Sequence, residues 1–211
     1  MRARDHISSV LRLTLALLLA AAIGAGCDGN GPGVKPENPT LTVTFTPAAI
    51  AVDGLTLTKA TLTIDHVEAL GNAPPPHPPP GPMPPDHLTL DLLGAGGSLT
   101  IEVPPGLYSR VGFHIEDVSL AGTWKGMPLS ARLAMFQGPR VDLRSATPVE
   151  VTSGGTATLS VAVDPAQWFA APSPLDSATV AADGSITCND QQNQATATAL
   201  LDRVPPSFSL K

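Results

Sequence analysis

The sequence predicts an all-β fold: an antiparallel β-sandwich of about nine strands with a short C-terminal helical tail. Period-two alternation of apolar and polar residues runs, with breaks, from Thr40 to Val163, as expected of strands with one buried face. Gly, Pro and Asp-Gly pairs separate the runs. Composition agrees, with aromatics at 4% and charged residues at 14%; the Thr, Ala, Gly and Pro in their place suit short strands and turns better than helices.

Residues 1–26 read as a signal peptide. Arg2, Arg4 and Arg12 precede an apolar run from Leu13 to Ile23, and small residues follow; these are the three parts of a secretory leader. At ~1.5 Å per residue the run covers roughly 16 Å, about half a hydrocarbon core, too short for a stable span. Ile23-Gly24-Ala25-Gly26-Cys27 resembles a bacterial lipobox, with Gly24 standing where a branched aliphatic residue is usual. The resemblance implies that Cys27 is diacylglyceryl-modified and becomes the mature N-terminus. Residues 27–39 are then a lipidated, Gly/Pro-rich tether, and the lipid bilayer is the first partner. Anchoring to the inner or to the outer membrane is left open.

The β domain is expected over residues 40–170. Leu41, Val43 and Phe45 share one face of a first strand that Pro47 ends. Asp53-Gly54 reads as a hairpin turn, leading to Leu55 and Leu57. Leu62 and Ile64 continue that run one residue out of phase, which predicts a bulge near Lys59-Ala60. Between positions 74 and 85 stand nine prolines in twelve residues. Such a run lacks ladder donors, so it loops out as polyproline II. Alternation resumes at Leu88, Leu90 and Leu92, and again at Leu99, Ile101 and Val103 after the Gly94–Gly97 turn. Pro104-Pro105-Gly106 turns into Val111, Phe113 and Ile115, with Arg110, His114 and Glu116 facing the other way. A hairpin at Lys125-Gly126 joins 118–124 to 127–136. Val141 with Leu143, Val149 with Val151, and Leu159 with Val161 and Val163 complete the set.

Asp164-Pro165 begins a short turn carrying Trp168 and Phe169. Residues 171–211 read as a tail, with one helix over 190–204 capped by Asn189 or Asp190 and stopped by Pro205-Pro206. Cys27 and Cys188 are the only cysteines. With Cys27 acylated, Cys188 has no partner within the chain, so it is either buried or paired between chains.

The segment from Leu41 to Val163 resembles a family of bacterial lipoproteins built on a domain of unknown function, DUF4382. The likeness rests on Leu41-Thr-Val-Thr-Phe45, Ala60-Thr-Leu-Thr-Ile-Asp-His-Val-Glu68 and the Leu-Asp-Leu-Leu of 90–93. Pro-Pro-Gly-Leu-Tyr-Ser-Arg of 104–110 and Pro148-Val-Glu-Val-Thr-Ser-Gly-Gly-Thr156 add to it. Thr46-Pro47 stands where the family carries an acidic residue before its proline. The resemblance implies a sandwich and no particular activity.

Charge argues against one class of partner. Net charge is −6, and removing the Arg-rich leader makes the remainder more acidic, which repels phosphate backbones; no nucleic acid is expected. His77, Met83, Asp86 and His87 lie in or beside the proline run, and imidazole with thioether or carboxylate suits copper or zinc. A straight polyproline run would hold His77 and His87 roughly 30 Å apart, so the loop reads first as a solvated spacer, with metal handling over 77–87 as the alternative. His66 beside Asp65, and His114 two residues before Glu116, read as polar positions on a strand surface rather than as an acid–base pair. No nucleophile elbow, phosphate loop or calcium loop is present, so no enzyme activity and no cofactor are expected. Trp124 at the Lys125-Gly126 turn and Trp168 are candidates for a sugar platform; core packing beside Phe169 is the first reading of Trp168, and packing is an equal alternative for Trp124. The expected function is that of an envelope lipoprotein acting as a non-catalytic binding or scaffolding module, with a glycan or an envelope protein as its ligand.

Overall fold

The computed structural model describes residues 38–71, 87–134 and 138–211. The leader, Cys27, the tether up to residue 37 and the proline-run candidates His77, Met83 and Asp86 lie outside the described residues. The described strands are β1 (Thr40–Pro47), β2 (Leu55–Gly71), β3 (His87–Asp91), β4 (Gly97–Glu102), β5 (Gly106–Trp124), β6 (Met127–Ala134), β7 (Arg140–Val151), β8 (Thr156–Val163), β9 (Ile186–Cys188) and β10 (Phe208–Leu210). The all-β expectation holds. Alternation works as anticipated in β1, where Leu41, Val43 and Phe45 are fully buried and the intervening threonines are not.

The strands form two sheets, in the orders β10-β8-β1-β4 and β3-β2-β5-β6-β9, with β7 also pairing β5. Both are mixed, which corrects the antiparallel expectation. β8 runs parallel to β1 from Thr40↔Thr156 to Pro47↔Val163, and β9 runs parallel to β6. Parallel neighbours need a long crossover. Here β8 returns to β1 only after strands of the other sheet have formed, a relation that local alternation does not encode.

β5, 19 residues long, is the axis of the second sheet. One edge takes β2. The other is shared end to end, β6 pairing 117–124 and β7 pairing 106–114. The two short runs at Val141-Leu143 and Val149-Val151 are therefore ends of one strand, bulged between the Arg110↔Arg144 and Tyr108↔Val149 pairs. The bulge expected near Lys59-Ala60 falls at Thr58, between Leu57↔Gly122 and Lys59↔Ala121. The Lys125-Gly126 hairpin is present, with both residues at positive φ (49° and 82°), as its tight turn requires.

The turn at Asp53-Gly54 does not close a hairpin, because β1 and β2 lie in different sheets. Leu55 N–H donates to the Val52 carbonyl across it, and the chain crosses from one sheet to the other. Pro104-Pro105-Gly106 is a similar crossing, pinned by the Tyr108 hydroxyl donating to the Pro104 carbonyl at 2.7 Å. The sheets share one core. Phe113 of β5 meets Phe45 of β1 edge-on at 5.5 Å and Phe208 of β10 at 5.0 Å, contacts that contribute about 0.5–1.5 kcal/mol each beyond the area they bury.

Residues 171–211 belong to this fold rather than trailing from it: β9 extends one sheet and β10 the other. The helix is shorter than expected, with α1 covering only Gln194–Leu201. Asn189 accepts N–H bonds from Gln191 and Gln192 in a local turn. Asn193 sits in the left-handed region and bridges Thr179 and Thr187 instead of capping. Asn189, one of the two caps expected, is thus engaged in that turn and does not start the helix.

Candidate functional site

Because Ile64, Phe113 and Ile115 point into the core and are fully buried, their neighbours Asp65 and His114 point to the outer face of the second sheet. Register then assembles a polar row across four strands: His87 opposite Asp65, Asp65 opposite His114, and His114 opposite Arg140. The pairing of β2 with β5 is interrupted between Asp65 and Glu68, and within that bulge His66 adopts φ 49°. Histidine is among the few side chains enriched there. The His66 ring lies against that of His114, centroids 6.1 Å apart and nearly edge-on.

Each of the three imidazoles holds an oxygen at Nδ1. His66 meets Asp65 Oδ2 at 3.0 Å, His87 meets Glu116 Oε2 at 2.7 Å, and His114 meets the Gly138 carbonyl at 3.1 Å. In the neutral ring this arrangement puts the proton on Nδ1 and the lone pair on Nε2. Among the described residues Asp65 Oδ1 is buried without a hydrogen-bond partner.

At the β7 end of this row the Arg140 guanidinium lies over Gly112. It donates to Glu68, and in a fork to Asp142 at 3.1 and 3.2 Å. A Cβ at Gly112 would stand 2.7 Å from Arg140 Nη2, so any larger residue would displace the end of the guanidinium. The Arg140 hydrogen bonds hold the Asp142 carboxyl below its ordinary range, and the two carboxylates push the guanidinium up. These groups are about half exposed, and exposed ion pairs add little to stability.

Trp124 is a correction. It keeps the inward phase of Val118 and Leu120 and is 4% exposed, with the Lys125 ammonium 5.2 Å above its ring and that ammonium 2.6 Å from Asp176. Trp168 is 1% exposed. Neither indole presents a free face to a sugar. Cys188 is fully buried and its thiol free, which decides between burial and pairing between chains. His87 meets Glu116, a partner the loop reading did not give it. Arg140 and the Gly138 carbonyl carried no signal in the sequence, since only the pairing of β7 with β5 brings them to His114.

Among the described residues no three His, Cys, Asp or Glu side chains are placed to hold a metal together, and no helix is long and apolar enough to cross a membrane. No family model, curated protein or solved structure matches the chain.

Proposed function

We propose that this chain is a lipid-anchored envelope lipoprotein whose folded part is a non-catalytic, DUF4382-like binding or scaffolding module. The observation that carries the reading is the N-terminal series: basic residues, the Leu13–Ile23 run, small residues, then Cys27 followed by a polar Gly/Pro-rich stretch. Two or three acyl chains on Cys27 make a durable anchor where one would not. A folded unit whose first strand starts at Thr40 leaves a short tether between lipid and module. Its partner is a glycan or another envelope protein, and the row His87, Asp65, His114 and Arg140 is the surface offered to it.

The test is expression in a bacterial host fed a palmitate analogue, followed by membrane fractionation. The wild-type chain carries the label and sediments with membranes, whereas Cys27→Ser loses both. Label and membrane association that survive Cys27→Ser, or their absence from the wild type, overturn the reading.

A further inference from the structure

We propose that His66 and His114 form a two-imidazole site for one borderline divalent transition-metal ion, Zn²⁺, Cu²⁺ or Ni²⁺, on the outer face of the second sheet. The inference extends the module reading without depending on the anchor, and its residues are not those of the proline run.

Three features carry it. The Nδ1 of each ring is engaged, by Asp65 for His66 and by the Gly138 carbonyl for His114. An imidazole whose Nδ1–H is held by a carboxylate or a backbone carbonyl presents Nε2 in fixed orientation, the arrangement found behind metal-binding histidines. The left-handed backbone at His66 is the second feature, since it turns this ring toward β5 at a position where the regular ladder is broken. Third is distance. Two imidazoles joined through Nε2 to a tetrahedral ion at ~2.0–2.1 Å have ring centroids about 5 Å apart. The observed separation is 6.1 Å, within about 1 Å of that value, and the His66 side chain is 75% exposed, so the pair is open to an ion from solvent.

Water completes the coordination, as in sites with an open position. Nitrogen ligands select against Mg²⁺ and Ca²⁺, which prefer oxygen. The Asp65 carboxylate that meets His66 Nδ1 adds negative charge beside the pair and favours a dication. Arg140 already lies against Glu68 and Asp142.

Calorimetric titration of the full-length chain in detergent with Zn²⁺, Cu²⁺, Ni²⁺ and Mg²⁺ tests this. His66→Asn keeps a side chain that tolerates the left-handed backbone, and far-UV circular dichroism checks that each variant is folded. One transition-metal ion binds per chain, Mg²⁺ does not bind, and His66→Asn and His114→Ala each weaken binding by at least about tenfold. His77→Ala leaves binding unchanged. A wild-type chain that takes up no transition metal, variants that bind like wild type, or loss of binding in His77→Ala overturns the site. Lipidation is read separately by label, so failure of the anchor and failure of the metal site are distinguishable.

Discussion

Trp168 donates its indole N–H to the Ser207 hydroxyl at 2.9 Å, and Ser207 donates in turn to the Val204 carbonyl at 2.6 Å. Trp168 lies in the 3₁₀ turn Pro165–Phe169 directly after β8, and Ser207 ends the turn directly before β10. Both are buried, so this bond ties the last long strand to the C-terminal strand inside the core. Ser207→Ala leaves the indole N–H unsatisfied while the Val204 carbonyl keeps the residue 207 N–H. The expected loss is about 1–3 kcal/mol, read as a lower urea midpoint at unchanged slope. An unchanged midpoint would return residues 171–211 to the status of a loose tail.

Gly122 faces the bulge at Thr58. A Cβ there would collide with the Thr56 carbonyl oxygen and stand 2.8 Å from Leu57 Cα, both of them backbone and unable to swing away. Gly122→Ala therefore forces β2 and β5 apart along their most extensive pairing, at a cost of ~3 kcal/mol or more. Gly126→Ala is the control: its φ of 82° disfavours a side chain, yet nothing lies within 4 Å of its Cβ position. Thermal unfolding of the two variants should show Gly122→Ala as much the more damaging.

That bulge was legible because a phase slip between Leu57 and Leu62 is a local signal. So was the Lys125-Gly126 hairpin, whose turn chemistry resides in two adjacent residues. Asp53-Gly54 carries similar chemistry yet joins strands of different sheets, because turn propensity says nothing about which sheet the next strand enters. The parallel pairing of β1 with β8 spans most of the domain and leaves no local trace. Much of the candidate site was hidden for the same reason. His66 and Asp65 are neighbours in sequence, but His87, His114 and Arg140 reach them only through register, and inward and outward phase alone could not say that one imidazole would lie against another.

Burial pushes the Cys188 thiol up to about 11, and only a thiolate reacts readily. In a Cys27→Ser background Cys188 is the only cysteine, and it should resist a thiol reagent at pH 8 in the folded protein and react fully in urea. The linkage has a definite sign. With the folded value above the unfolded one, the stabilisation is whole below the ordinary thiol range and falls as pH rises through it toward 11. Rapid labelling of the native protein would place Cys188 at the surface.

Asp142 works in the opposite direction. Its carboxyl is depressed first by the Arg140 hydrogen bond, so its contribution is present above the ordinary carboxylate range and is lost as pH falls through the depressed folded value. Urea midpoints of wild type and Asp142→Asn should differ slightly at pH 6 and converge in acid, and the gap at pH 6 should shrink in high salt. A gap that widens on acidification contradicts this assignment.

Mass spectrometry of the mature N-terminal peptide reads the proposed anchor at Cys27 itself. The expected product is a chain that begins at Cys27 and carries a diacylglyceryl group on its sulfur. A mature chain that begins elsewhere, or one that begins at an unmodified Cys27, would contradict it.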